Sequence, residues 1–284
     1  MRNIVVIPNP KKDTNFSVSL KLTEKLHSLG LEVYMDEDFS GKFQSFVRYF
    51  EELPSEADAI TVVGGDGSVI DASRYAIERD IPIVGINLGK VGYLSEVEPD
   101  NLSVLNGLVS GEYHIEERLL LSVECKNGDF LHTAERLAVN DVVVTHNDFF
   151  GIADFKVENF RGDCVKYRAD GIIVSTPAGS TAYSLSAGGP IISHNLESII
   201  VTPVCPHSFF NRSIIFGAQE VLKITNIGDS DLNVSIDGRY FSVLKKNDYC
   251  SVSSSEKRVK MLTFERDNMF STLFRKMRIL EDVK

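Results

Sequence analysis

The 284-residue chain has no tryptophan, only four cysteines, and no long apolar run. The last absence excludes most: a membrane-crossing helix needs about 20 consecutive apolar residues, and no stretch approaches that length. The opening MRNIVVIPNP is broken by prolines after a few apolar residues, too short for the core of a signal peptide. A cytoplasmic protein without a membrane partner is the expectation. Cys125, Cys164, Cys205 and Cys250 are scattered, with no CxxC and no metal-ligand spacing, which favours structural thiols over disulfides or zinc. Positive charge is scarce too. Lys and Arg total 30 against 40 Asp and Glu, for a net charge of −10, and such a balance opposes nonspecific attraction to nucleic acid or anionic lipid. Any phosphate bound here must be held by a local site. Two familiar phosphate motifs are also missing: residues 85–90, GINLGK, lack the spacing of a GxxxxGK[ST] loop, and no GxGxxG opens a helix after a strand.

What is present is an ordinary globular balance of 43% hydrophobic and 25% charged residues, with 17 Phe and 9 Tyr to build a core. At about 150 residues per domain, the length allows one large domain or two ordinary ones. Residues 2–7 read as a strand, and Val18, Leu22, Leu26 and Leu29 then recur at helical spacing until Gly30. LEVYM (31–35) reads as a second strand, 43–53 as a second helix, AITVV (59–63) as a third strand and 69–79 as a helix before the strand IPIVGIN. This alternation predicts a parallel sheet covered by helices, with ligands at the carboxyl ends of its strands. After about Leu105 short β-rich runs take over. LLLSVEC, LAVNDVVVT, FKVENF, GIIVST, SIIVT, RSIIF, VLKIT and NVSID predict a mostly antiparallel second domain. The tail at 267–280 places Met269, Phe270, Leu273, Phe274 and Met277 on one helical face and is expected to pack back on the first domain. The predicted division is 1–105, 106–262 and 263–284.

Two segments carry chemistry. Gly64, Gly65, Asp66, Gly67 and Ser68 lie between an apolar strand and a helix, where glycines let a ligand approach the backbone and the helix's first N–H groups can hold phosphate oxygens. Asp66 is the odd member, since a carboxylate among phosphates is repelled unless it holds a metal ion or accepts a proton. The plainer alternative is a tight turn with Asp66 capping the helix. The second segment, 167–192, is YRADGIIVSTPAGSTAYSLSAGGPII. Its small residues and hydroxyls, with the Tyr183 ring, suit a planar base and a ribose; the alternative is a Gly/Ser-rich turn between strands. The six histidines have no partner at ligand spacing.

With these motifs in view, the sequence resembles the NAD kinases. GGDGS matches that family's GGDG[TS], NLGKVGYLSE (87–96) its NxGxxGFL segment, VNDVVV (139–144) its N[ED] strand, and 170–192 its longest signature. PHSFFNRSI (206–214) and IDGR (236–239) fit its PHxxxxRP and DG[QR] segments. GGDG is shared with diacylglycerol, sphingosine and phosphofructo-kinases, whereas the STPxGSTAY segment is specific to NAD kinases. The resemblance implies an α/β domain with a parallel sheet joined to a β-sandwich-like domain, and a nucleotide site in the cleft between them. It implies an enzyme that transfers a phosphoryl group from ATP, with Mg²⁺, to the 2′-hydroxyl of the adenosine ribose of NAD. Asp66 would take the hydroxyl proton, with Gly67 against that ribose. Asn140, Asp141, Thr181, Ala182, Tyr183, Ser184, Leu185 and Ser186 would contact NAD, and Arg239 would point toward the nucleotide. The resemblance also implies a homo-oligomer, dimer or tetramer, in which Arg168 and Asp170 reach a neighbouring subunit's site. Which residues would hold the metal is left open by the resemblance.

Three positions depart from the family pattern. Ala178 stands where Thr or Ser is usual, Asp141 where Glu is commoner, and Ser213 where Pro follows Arg212. A lipid kinase sharing GGDG and a catalytically silent dinucleotide sensor remain as alternatives. The acidic charge and the hydroxyls of 176–186 argue against the first, and the intact Asp66 against the second.

Overall fold

The structure, a computed structural model, describes residues 1–89, 92–127, 130–147, 151–264 and 273. The chain forms two compact units. One comprises Met1–Glu117 and the chain from Val259 onward, and the other, Arg118–Arg258, is inserted between them in the sequence.

In the first unit β1 (Asn3–Pro8), α1 (Ser17–Ser28), β2 (Glu32–Asp36), β3 (Arg48–Phe50), β4 (Ala59–Gly64), α2 (Asp66–Arg79) and β5 (Ile83–Asn87) follow in order. The sheet runs β5-β4-β1-β2-β3 with every neighbouring pair parallel. β4 and β5 are buried at every position, as expected of parallel strands covered on both faces. The chain moves outward from β1 to β3 on one side, then returns to lay β4 and β5 on the other. The carboxyl ends of β1 and β4 therefore flank a topological switch point, the crevice where open α/β sheets bind ligands.

The helix expected at 43–53 is not there. A short strand, β3, takes its place, because Val47, Tyr49 and Phe50 favour extended backbone and the edge of β2 offers it pairing partners. The aromatic residues before it pack elsewhere: Phe43 on Phe16 and Phe39, and Phe46 on His27 with ring centroids 4.0 Å apart.

A short helix α3 (Gly107–Ser110) precedes β6 (His114–Asn127), in which the chain passes into the second unit. There follow β7 (Phe130–Ala138), β8 (Asp141–His146), β9 (Ala153–Glu158), β10 (Cys164–Ala169), β11 (Gly171–Ser175), α4 (Tyr183–Ser186), β12 (Ser198–Val204), β13 (Ile214–Gly217), β14 (Val221–Asn226), β15 (Leu232–Ile236), β16 (Arg239–Leu244) and β17 (Tyr249–Thr263). One antiparallel sheet runs β13-β12-β11-β8-β15-β16. The other orders β10-β9-β14-β17, with the β6–β7 hairpin attached at β17. Alternate side chains of the two sheets meet in one core, where Val142, Val144, Ile172, Val174 and Val234 join Leu121, Phe155, Tyr167 and Leu222. This is the expected sandwich. β17 begins beside β14 and ends in the first unit, where Met261 lies parallel to Ile83 of β5.

The tail at 267–280 lies outside the described residues, and with it the expected terminal helix. All four cysteines are free thiols. Among the described residues no helix is long and apolar enough to cross a membrane.

Candidate active site

In the first unit the chain leaves β4 at Gly64 and enters α2 through Gly65, whose extended backbone makes it the residue preceding the helix. Asp66 is thus the first helical residue and does not cap its own helix. Its carboxylate turns to the loop after β5, where Oδ2 accepts the Tyr93 N–H at 2.8 Å and Oδ1 the Leu94 N–H at 2.9 Å. The Ser95 hydroxyl lies 3.4 Å from Oδ1. Asn87 shapes that loop: its Oδ1 accepts the Gly89 N–H at 2.9 Å, and Gly92 (φ +62°) packs so closely on its amide that a side chain would not fit. Burial, then the Asp66 charge, raises the Tyr93 hydroxyl above its ordinary range.

The glycines of this turn answer to different demands. A side chain on Gly64 would overlap Ser68, whose hydroxyl accepts a 2.7 Å bond from the Asn9 amide at the end of β1. Gly67 meets nothing within 4 Å, so packing does not require a glycine there and the surface above it is open. A side chain on Gly65 would run into the Lys12 ammonium, which arrives from the segment after β1. The sequence lacks a lysine at Walker spacing, but the fold brings one to the glycine turn from the far side of the switch point. Its signal was topological, a lysine just after β1, the strand paired with β4. The first N–H groups of α2 have no partner within the helix, and with Lys12 they give this turn the polarity that phosphates need.

In the second unit, Asn140, Asp141, Arg239 and the turn after β11 gather at one end of the β13-to-β16 sheet, whereas Asp170 lies at the other end, where its carbonyl accepts the His146 N–H. Asn140 and Asp141 form the entry to β8, which β11 and β15 flank. The Asp237 carboxylate accepts the N–H groups of Val139 (2.9 Å), Asn140 (2.8 Å) and Asp141 (3.1 Å). From the other side, the Thr176 hydroxyl donates to the Val139 carbonyl at 2.7 Å and the Thr176 N–H to that of Asn140 at 2.9 Å. Gly179 packs so tightly on the Asn140 backbone that no side chain fits there. Asp141 is buried, and burial together with the Asp237 charge pushes its carboxyl up to about 7. Asp237 and Thr176 had no assigned role in the sequence, although each lies inside a quoted motif.

The hydroxyl-rich segment divides its labour. Thr176, Ser180 and Ser184 are buried; Ser180 bonds the Pro177 carbonyl and the Ile192 N–H, and Ser184 bonds Thr202, which in turn bonds Ser213. Ser184 therefore supports the turn, and Ser213 completes that hydroxyl chain. Tyr183, Leu185 and Ser186 are exposed, with Thr181 and Ala182 partly so. Arg239 begins β16 directly after Asp237 and Gly238. Arg168 is exposed near the end of β10, its N–H bonded to the Ser208 hydroxyl and its carbonyl to the His207 N–H. Asp170 lies two residues on, between β10 and β11.

These motifs are not an isolated likeness. Residues 4–113 match the ATP-NAD kinase N-terminal domain and residues 139–264 the ATP-NAD kinase C-terminal domain. The chain belongs to the ATP-NAD kinase family. It is 33% identical over 283 residues to the NAD kinase of Lachnoclostridium phytofermentans, covering 96% of this chain and 98% of that one. It is 34% identical over 284 residues to the NAD kinase of Natranaerobius thermophilus, covering 98% of each. An NAD kinase from Archaeoglobus fulgidus, solved in complex with ATP, is similar with a TM-score of 0.72 and 25% identity over 98% of this chain and 99% of that one. Yeast NADH kinase complexed with NADH gives a TM-score of 0.84 at 22% identity, over 98% of this chain and 86% of that one, which speaks for the fold. The match over 139–264 lies outside GGDG, the motif on which the lipid-kinase alternative rested.

Proposed function

We propose that this ATP-NAD kinase transfers a phosphoryl group from Mg·ATP to the 2′-hydroxyl of the adenosine ribose of NAD, giving NADP and ADP. Membership of the family makes the chain a phosphotransferase. The observation that carries the finer reading is the placement of Asp66. It opens α2 at the carboxyl end of β4, beside the β1–β4 switch point, with both carboxylate oxygens aimed by backbone donors. Oδ2 keeps a lone pair beyond the one bond it accepts. Asp66 takes the 2′-hydroxyl proton as the ribose oxygen bonds to phosphorus and ADP leaves. Lys12 and the first N–H groups of α2 face the phosphates, and Gly67 leaves room for the ribose. On the second unit Asn140, Asp141, Thr181, Ala182, Tyr183, Leu185, Ser186 and Arg239 contact NAD, with Ser184 behind them.

Among the described residues no three His, Cys, Asp or Glu side chains come together to cage a metal. One carboxylate beside a phosphate turn does fit magnesium, which is ordinarily held by one or two carboxylates and the substrate's own phosphates. With Asp66 engaged as the base, the phosphates of ATP would chiefly hold the ion beside this turn, and it would neutralise their charge. The enzyme acts in the cytoplasm, which the four free thiols support. It works as a homo-oligomer in which Arg168 and Asp170 serve a neighbouring subunit; neither has an ion-pair partner among the described residues.

Asp66→Asn tests the assignment. The amide cannot take the proton, so kcat for NADP formation falls about 10²- to 10⁴-fold while the NAD Kd by calorimetry moves by only a few-fold. The structure adds a fold cost, because Asn offers one acceptor where two N–H groups converge, and about 1–3 kcal/mol of stability is lost. A folded variant with kcat within a few-fold of wild type would show that Asp66 is not the base.

A further inference from the structure

Asp237 and Gly238 form the two-residue turn between β15 and β16, with φ of +48° and +74°. Two positive φ values in a two-residue hairpin loop define the tight turn that Asn-Gly, Asp-Gly and Gly-Gly all satisfy. The hairpin alone therefore asks only for a residue that tolerates positive φ. The carboxylate does something the hairpin does not need: it reaches across to β8 and collects the N–H groups of residues 139, 140 and 141. The Asp237 N–H adds a 2.9 Å bond to the Asp141 carbonyl.

With Thr176 holding the carbonyls of Val139 and Asn140, every backbone N–H and carbonyl of residues 139–141 is bonded to Asp237 or Thr176. The Asn140 side chain is not: its amide makes no hydrogen bond to a described residue. A backbone fixed from two sides that presents a free amide is an arrangement for meeting a ligand. We propose that Asp237 is a positioning residue for NAD, its carboxylate fixing the entry to β8 and through it the Asn140 and Asp141 side chains. This rests on the reading that those two side chains contact NAD.

Two variants separate this role from that of the turn. Asp237→Gly keeps a favoured hairpin dipeptide, Gly-Gly, and removes the acceptor altogether. Asp237→Asn creates Asn-Gly, the strongest hairpin dipeptide, keeps one acceptor oxygen and sets an amide donor against the remaining N–H. Calorimetry with NAD and with ATP, thermal melting and steady-state turnover are measured on the full chain. The NAD Kd weakens by about 10-fold or more in Asp237→Gly and by less in Asp237→Asn, with the ATP Kd and the kcat at saturating NAD within about three-fold of wild type. An NAD Kd within about two-fold of wild type in both variants overturns the proposal. So does a parallel loss of NAD and ATP binding that follows the loss of melting temperature, since Asp237 would then serve only the fold. NADP formation by the wild-type enzyme is judged separately, so a failed functional reading shows in turnover and a failed positioning role in the NAD Kd.

Discussion

Asp141 carries the clearest strain at the scale of single residues. Its carboxyl is held at about 7, against 3.8 for an ordinary Asp, first by burial and then by the Asp237 charge. The folded protein keeps this proton up to neutral pH, whereas the unfolded chain releases it near pH 4. Between those values the unfolded state binds fewer protons, so stability falls as pH rises through the window. At pH 8 the ionised group costs of order 4 kcal/mol. Asp141→Asn has no such charge. It should be more stable than wild type at pH 8 in urea unfolding, with the gain vanishing toward pH 4, and should bind NAD more weakly. A stability gain of equal size at pH 5 and pH 8 would show that the proton is not held as described.

At the scale of elements, the strand-to-helix turns of the two units pose opposite tests of glycine. A methyl group on Gly179 would be driven into the Asn140 backbone, while one on Gly67 meets open space. Gly179→Ala is expected to cost about 2–3 kcal/mol, lowering Tm by roughly 4–12 °C. Gly67→Ala should leave Tm unchanged or slightly higher, since Ala favours helix over Gly, yet raise the KM for NAD because the ribose loses its space. A Gly179→Ala enzyme melting with wild type, or a Gly67→Ala enzyme with normal KM, refutes the corresponding half. The same scale shows what was legible. Runs with one clear period became β1, α1, β2, β4, α2 and β5, within a residue or so for most of them. β7, β10, β16 and β17 were missed, although Asp237-Gly238 signals a hairpin and RYFSVL follows it; β17 hides its alternation among serines and a charged run, so only its pairing reveals it. LAVNDVVVT read as one strand, but the structure breaks it at 139–140, where the N–H groups go to Asp237 instead of a neighbouring strand. Local pattern reports which backbone is extended. It does not report which side chain from 97 residues away will take its hydrogen bonds.

For the molecule as a whole, a net charge of −10 pushes copies apart, but that repulsion is screened over about 8 Å at physiological salt. Any association would therefore have to come from short-range burial, and the second unit has exposed apolar side chains that would serve it. Phe209 is fully exposed, with Leu196, Phe210 and Ile215 also open, the last on the edge strand β13. Exposed apolar side chains beside an open strand edge are where a partner could bury area. The segment is no loose tail: Ser208 and His207 bond the Arg168 backbone, and Phe210 packs 6.2 Å from the Tyr167 ring. A neighbour docking on Phe209 would therefore meet a surface fixed to the strand that carries Arg168. Sedimentation should show a homo-oligomer that tightens as salt rises, because screening removes repulsion without weakening burial. Phe209→Glu should shift it toward monomer, with a higher KM for NAD and little change in Tm, since Phe209 supports no core. Specific activity of the wild type should fall on dilution through the same concentrations that dissociate it. A wild-type enzyme that sediments as a fully active monomer at every concentration would remove both the interface and the shared role of Arg168 and Asp170.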